Sequence, residues 1–498
     1  LVYSFFSLPL CQDFLRSSVE QALMNKLHTQ VHIGSIDVGL FNRVTLNNVV
    51  ILDQKKNKLF ESDLVSCRIE LAPLLHQEIS LRTITIVDGQ INAYKNTEKE
   101  DYNYQFVLNA FKSSNRQKKS DINLRINSII LRRLAIRFDQ NYKSRTPGRF
   151  NPHHINLAEI NANISLKKLL ADSLRVRIRD LSLREASGIK LQHFAMDLQA
   201  NKKMCQIENL RIEMPKSLFI QDKVLIAYQW TDNGPKNFKA KLSVSHCKIS
   251  SLDFAALAPQ LKSWNDTFLL TGDIHFLHQQ ITLKSLILKN ISKTLNLHSD
   301  ITYKWNDSIK RVRVDKLHIQ SSNTYLPLLW SQIHPRKLVP KAIENLGGFY
   351  VDAKGDLISK RKNTYANLSF QLNSVHGKMI CPQVIWENHM LIFPKELSGT
   401  LNLKNIIPAA HVSTVNFGLK GKCVIPNGKI QDGIFSLALH QLTWHDYPYK
   451  NINVEGNYKH DNLSINMQVL DKNANIELNG ILTKINQAKK GFSFQLNI

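Results

Sequence analysis

Downstream of residue 30 the hydropathy of this chain alternates with a period of two, almost to its last residue. Leu463, Ile465, Met467 and Val469 are separated by Ser464, Asn466 and Gln468. Successive side chains of an extended strand point to opposite faces, so this pattern sets an apolar face against a polar one. The same alternation recurs at Ile84 and Ile86, at Ile91 and Ala93, at Leu131, at Ile136 and Phe138, at Leu174, Val176 and Ile178, and at Ile476 and Leu478. A helix needs apolar residues three and four apart, and few segments supply them. The chain is therefore mainly β, and its central problem is what covers so many apolar strand faces. A sandwich, a closed barrel or a curled sheet whose apolar side lines a groove would each solve it. Alternation alone does not choose among them.

Hairpin signals punctuate the strands at Asp88-Gly89-Gln90, at Gly421-Lys422, and at residues 426–429 and 471–474. Residues 452–482 read as a three-stranded meander. Residues 9–28 read as the one long helix, with Ser7 as its cap and Pro9 in its first turn. Its expected apolar face carries Phe14, Leu15, Val19, Ala22, Leu23 and Leu27. Short helices are expected at 71–78, 102–111, 166–173 and 252–264 and in the Pro-broken stretch 325–346, with basic loops at 112–121 and 139–153. An offset of 45 lays Ile84, Ile86, Ile91 and Ala93 over Ile129, Leu131, Ile136 and Phe138. The form apolar-x-Gly-x-apolar recurs around Gly272, Gly355, Gly421, Gly456 and Gly480. Such weak repetition suits a long meander in which each strand touches only its neighbours.

Composition narrows the function classes. Gly (19) and Pro (15) are too few among 498 residues for a collagen-like, linker or Pro-rich disordered chain. Six cysteines without a CxxC cannot make a disulfide-dense scaffold, and they read as small buried apolar residues. No HExxH, GxSxG or GxxxxGK[ST] is present. His153-His154 and Trp444-His445-Asp446 read as solvated loop residues, and Glu396, Glu455 and Glu477 stand singly on strands. The expectation is a protein that is not an enzyme and has no metal or cofactor. The net charge of +25 is spread along the whole chain, with Arg175, Arg177 and Arg179 alternating against an apolar face. A nucleic-acid binder would concentrate that charge in one module and interleave aromatics. A solvated outer surface, with attraction to anionic lipid headgroups, fits the spread better.

The opening LVYSFFSLPL reads as the end of a membrane anchor, and GFSFQLNI breaks off in strand register, so a longer native protein is expected. Residues 10–111 resemble the start of the large AsmA-like, TamB-type envelope proteins, especially those of the Bacteroidota. The strings that carry the likeness are VHIGSIDVGLFNRVTLNNVVILD, LAPLLHQEISLRTITIVDGQINAY and YNYQFVLNAF. The resemblance implies a single-pass inner-membrane anchor and a taco-shaped β-groove facing the periplasm. It also implies conduction of phospholipid between inner and outer membrane, or support of outer-membrane protein assembly with a barrel partner of the TamA type.

The fold expected is thus a long curled antiparallel β-sheet, a repeating rod-like groove with an N-terminal amphipathic helix and a few short helices. Its expected parts are the anchor end (1–10), the helix (11–30), a first groove unit (31–138), a second (139–250) and a continuing groove (251–498). The expected lipid-groove lining is Ile84, Ile86, Ile91, Leu131, Ile136, Phe138, Leu174, Val176, Ile178, Leu463, Ile465, Met467, Val469, Ile476 and Leu478. Arg137, Arg177, Asn466 and Glu477 would then face water. The expected partners are phospholipid acyl chains and the inner membrane, not nucleic acid. A purely structural strut spanning the envelope and a basic nucleic-acid-binding protein are the alternatives.

Overall fold

The structure, a computed structural model, describes residues 9–39, 42–70, 78–110, 123–170, 173–231, 234–334, 337–345, 347–360, 363–406, 412–483 and 491–497. It is mainly β, built as open, curled and mostly antiparallel sheet with few short helices. The chain divides into two compact units, residues 1–236 with 246–267 and residues 237–245 with 268–498.

The first unit opens with helix α1 (Pro9–Leu27), followed by β1 (Val31–Gly39), β2 (Arg43–Leu52), β3 (Lys58–Glu70) and β4 (Glu78–Lys95). Helix α2 (Gln105–Ala110) precedes β5 (Asn123–Ile126), β6 (Ser128–Gln140), β7 (His154–Leu170) and β8 (Ser173–Glu185). Then come β9 (Lys190–Leu191), β10 (His193–Asn201), β11 (Met204–Glu213) and β12 (Leu218–Thr231), while β13 (Gly234–Ser250) contributes residues to both units.

Helix α1 covers the start of the sheet. Val19, Leu23 and Met24 pack against buried Leu27, Val31 and Ile33, and Phe106, Val107 and Ala110 close the same cluster from α2. Phe14 and Ala22, expected on this face, are exposed instead. The packed stripe runs through Val19, Leu23 and Leu27 at i, i+4 spacing, and those two residues fall outside it. Glu20 accepts a 2.7 Å hydrogen bond from the Ile33 N–H and a 3.1 Å bond from Arg16 Nη1. An edge-strand N–H that could template pairing with another chain is thereby occupied.

The 45-residue offset is the register of a parallel pairing. Strands β4 and β6 lie side by side with Ile84 opposite Ile129, Ile86 opposite Leu131, Ile91 opposite Ile136 and Ala93 opposite Phe138. Arg133 and Asp88 pair at the same offset, Nε to Oδ1 at 2.6 Å and Nη2 to Oδ2 at 2.5 Å. Parallel neighbours cannot be joined by a tight turn, and α2 lies in the crossover that joins these two.

Two expected hairpins are not turns. Asp88 lies within the continuous strand β4, where its φ of +50° makes it a left-handed residue inside an extended run. The alternation changes phase there, from Ile84 and Ile86 to Ile91 and Ala93. Asn48 (φ +50°) does the same in β2, and Leu46 and Ile51 on either side of it still pack against one cluster. The phase change therefore keeps both halves of the strand apolar on the same side. Of residues 166–173, expected to be helical, 166–170 end β7 and Ser173 begins β8, with Leu166 opposite Val176 and Leu169 opposite Leu174. Residues 252–264 hold only a 3-10 turn (Ser251–Phe254) and a short helix (Gln260–Ser263). Of the helix expected at 71–78, only Glu78 is described, and it begins β4 instead; the basic loop expected at 112–121 lies outside the described residues.

The second unit is an antiparallel meander. Its strands are β14 (Thr267–Leu277), β15 (Gln280–Asn290), β16 (Leu295–Trp305), β17 (Ile309–Ser321), β18 (Phe349–Lys360), β19 (Asn363–Ser374) and β20 (Gly377–Glu387). They continue as β21 (Met390–Asn402), β22 (Val412–Val424), β23 (Asp432–Trp444), β24 (Tyr447–Lys459), β25 (Asn462–Asp471), β26 (Ala474–Thr483) and β27 (Gly491–Asn497). Each pairs with the next. The expected 452–482 meander is β24–β26, and the turns at 426–429 and 471–474 are present. Gly421-Lys422, by contrast, sits inside β22, opposite Phe435 and Ile434. Helix α3 (Tyr325–Ile333) interrupts the long connection from β17 to β18.

Candidate functional site: a continuous apolar track

Paired residues of neighbouring strands point to the same face, so register alone traces which side chains share a surface. In the second unit one such row begins Leu270, Leu288, Leu297, Ile319, Val351, Leu372, Met379, one residue from each strand from β14 to β20. It continues through Gly399, Phe417, Leu439, Ile452, Val469 and Ile476, from β21 to β26. Thirteen successive strands place no polar side chain in this row. At ~4.8 Å per strand the track is about 60 Å long. None of its members is exposed; Ile452 and Val469 are buried and the rest half-buried. A parallel row beside it runs Leu397, Leu419, Leu437, Val454, Met467 and Leu478.

The first unit carries shorter rows of the same kind. Cys67, Ile84, Ile129, Ile164, Ile178 and Met196 follow one another across six strands, all half-buried. Leu166, Val176, Leu198, Ile207 and Val224 form a second row.

The residues expected to line a groove fall within these rows or next to them. Ile86 and Leu131 adjoin Ala162, Ile91 and Ile136 adjoin Leu157, Phe138 adjoins Ile155, and Leu174 adjoins Ala200. Val469 and Ile476 belong to the long track, Met467 and Leu478 to its companion row, and Leu463 and Ile465 lie further along β25. The alternate residues carry the charge and amides: Asn466 and Arg137 are exposed, and Arg177 pairs with Asp197. The larger part of the track, from Leu270 to Leu439, was not singled out from sequence. Its signal was there in alternations such as Val351-Ala353 and Phe370-Leu372.

One stretch of this face deepens into a cavity of about 880 Å3, within the size range of pockets that hold small ligands. Phe393, Leu419, Cys423, Phe435, Tyr458 and Leu463 line it, with Gly421 and Gly433 in its floor. Register puts these on one face: Phe393 opposite Gly421, Gly421 opposite Phe435, Cys423 opposite Gly433, Gly433 opposite Tyr458, Tyr458 opposite Leu463. Lys429 and Ile430, from the loop between β22 and β23, also line it, as do Ile434 and the charged Lys420, Lys422 and Asp461, in a lining that is otherwise mostly apolar.

Polar clusters elsewhere hold structure. Asp53, 1% exposed, accepts from the Lys55 and Asn57 backbone N–H groups at 2.8 and 2.9 Å, from the Tyr94 hydroxyl at 2.7 Å and from Asn103 Nδ2 at 3.3 Å. Asp139 binds Arg137 Nε at 2.7 Å, Arg145 Nη2 at 3.0 Å and His154 Nδ1 at 2.8 Å. Burial alone would raise the Asp139 carboxyl. Hydrogen bonds from His154 and Arg137, with the charges of Arg137 and Arg145, outweigh it and hold the group below its ordinary value. His154 is thus a bonded, largely buried residue rather than a solvated one, its Nε2 also 2.9 Å from the Lys143 carbonyl. His153 is likewise bound, 2.9 Å from Gln140 Oε1. Cys67, Cys205, Cys247, Cys381 and Cys423 are free thiols, and burial pushes each of them up, away from the reactive thiolate. Among the described residues no cluster of His, Cys, Asp or Glu could hold a metal ion, and no helix is long and apolar enough to cross a membrane.

An apolar row without polar interruption can shelter hydrocarbon over many strands, at ~0.8 kcal/mol for each CH2 kept from water. No protein-family model, curated protein or solved structure matches this chain.

Proposed function

We propose that this chain carries phospholipid acyl chains along the apolar face of its sheet, as the periplasmic part of a protein anchored in the inner membrane that passes lipid between inner and outer membranes. The observation that carries the reading is the thirteen-strand apolar row from Leu270 to Ile476. A strut needs a folded sheet but no uninterrupted apolar track, and a nucleic-acid binder needs a basic groove with stacking aromatics. The cavity lined by Phe435 and Ile430 adds a place where a chain can rest, and the likeness of residues 10–111 to TamB-type envelope proteins points the same way. The transfer needs no covalent step. Hydrocarbon exchanges one apolar surface for another, so the energy that drives net movement comes from outside the groove.

The test is a photo-crosslinker at Ile476, on the track, and another at Glu477, on the opposite face. Phospholipid captured at Ile476 and not at Glu477 supports the reading. Equal capture at both, or none at Ile476 in folded protein, rejects it.

A further inference from the structure

Residues 322–348, between β17 and β18, form a far longer connection than the tight turns that join most strands of the second unit. Helix α3 within it is anchored by buried Tyr325, yet it turns Leu328 and Ile333 outward, 52% and 48% exposed. Leu338 follows at 94% exposed, held beside the helix by a 3.2 Å hydrogen bond from Trp330 Nε1 to its carbonyl. Val375, 73% exposed at the neighbouring turn, sits against Gly347, where an added Cβ would lie 2.6 Å from it. Exposed Lys337 and Lys341 flank these groups. The whole connection carries three basic residues against one acid, Glu344.

We infer that this connection is a membrane-docking element that lays Leu328, Ile333 and Leu338 into the interface of a bilayer bearing anionic lipid. Single exposed apolar side chains are ordinary, but four of them, Leu328, Ile333, Leu338 and Val375, gathered in one connection and the turn beside it mark a surface that something else covers. Lys337 and Lys341 select the occupant: exposed apolar groups with two exposed ammonium groups close by in the chain match a hydrocarbon boundary overlain by phosphate, the combination that binds interfacial helices. A protein partner matched to the same lysines would instead leave the protein indifferent to lipid vesicles. The inference stands apart from the groove, because none of these residues belongs to the apolar track.

The experiment places a photo-crosslinker at Leu338 in the full chain and mixes it with vesicles of phosphatidylcholine containing phosphatidylglycerol. Leu269, 48% exposed on β14, serves as the control position. Capture of phosphatidylglycerol several-fold above that at Leu269 is expected. It should fall several-fold in the Lys337→Glu/Lys341→Glu variant and in vesicles of phosphatidylcholine alone, with circular dichroism unchanged. Capture at Leu338 no greater than at Leu269 would overturn the inference, as would capture indifferent to the two lysines or to the anionic lipid. The Leu338 signal should survive Ile476→Asp, so a failed groove and a failed docking element give different results.

Discussion

The ring of Phe435 lies across the backbone of Gly456, its partner on the next strand, so closely that a Cβ on residue 456 would sit 2.2 Å from the ring. Glycine here is a consequence of packing: the aromatic side chain fills the space that residue 456 leaves. The same ring forms a wall of the apolar cavity. Gly456→Val should therefore push the ring off its seat. We expect a loss of about 1–3 kcal/mol in chemical denaturation, the usual cost of overpacking, and less co-purifying lipid by native mass spectrometry. An unchanged denaturation midpoint would show that Phe435 moves freely.

Ile476 is half-buried at the end of the long track. In a sealed core, a lone carboxylate there would cost ~3–5 kcal/mol, as broken buried ion pairs do. On an open apolar face the new group can hydrate. Ile476→Asp should keep its circular dichroism spectrum and lose lipid transfer between donor and acceptor vesicles.

Asp53 ties the β2–β3 turn to Tyr94 and Asn103 through four hydrogen bonds. Asp53→Ala strands those donors, and each unsatisfied buried donor costs ~1–3 kcal/mol. A drop of about 2–5 kcal/mol in the stability of the first unit should follow, read by urea denaturation. Tyr94→Phe removes one of these four bonds and also the 2.8 Å bond that the hydroxyl accepts from Asn57 Nδ2, and should cost about 1–2 kcal/mol.

The Asp139 cluster holds the end of β6 to the loop at 141–153. Its carboxyl lies below the ordinary value of 3.8, so its contribution is complete above that pH and disappears as pH falls through the lower folded value. Protection from hydrogen exchange in residues 141–153, taken relative to free peptide at the same pH, should fall below about pH 3.8 and stay flat from there to neutrality. Loss of protection beginning well above that value would assign the loop's stability to another group.

Much of the fold was legible because the alternation is a direct print of the pleat. The 45-residue repeat was visible too, but it suggested strands that meet only their sequence neighbours, whereas it is the register of the parallel β4–β6 pair. The errors came where a local signal had two meanings. Asp-Gly marks a hairpin when its left-handed backbone reverses the chain, and a change of phase when the strand continues, as at Asp88. Residues 166–173 carry helix-forming Leu, Lys and Ala, and pairing between β7 and β8 overrode that preference. The candidate track was only partly visible. A strand shows which residues share its own face, but which row they join depends on registers set by neighbouring turns and bulges.

The parallel contact between β4 and β6 also sets a timetable. From β14 onward each strand meets the one just made, so loops close successively, most of them short and one of 27 residues at 322–348, and the meander can grow as the chain emerges. The contact between Ile84 and Ile129 cannot form that way. It waits until the crossover carrying α2 has been delivered, leaving the open edge of β4 without its neighbour in the meantime. The slow step in maturation of this protein should therefore lie near its beginning, and holding that edge apart from other chains is where a folding helper would act.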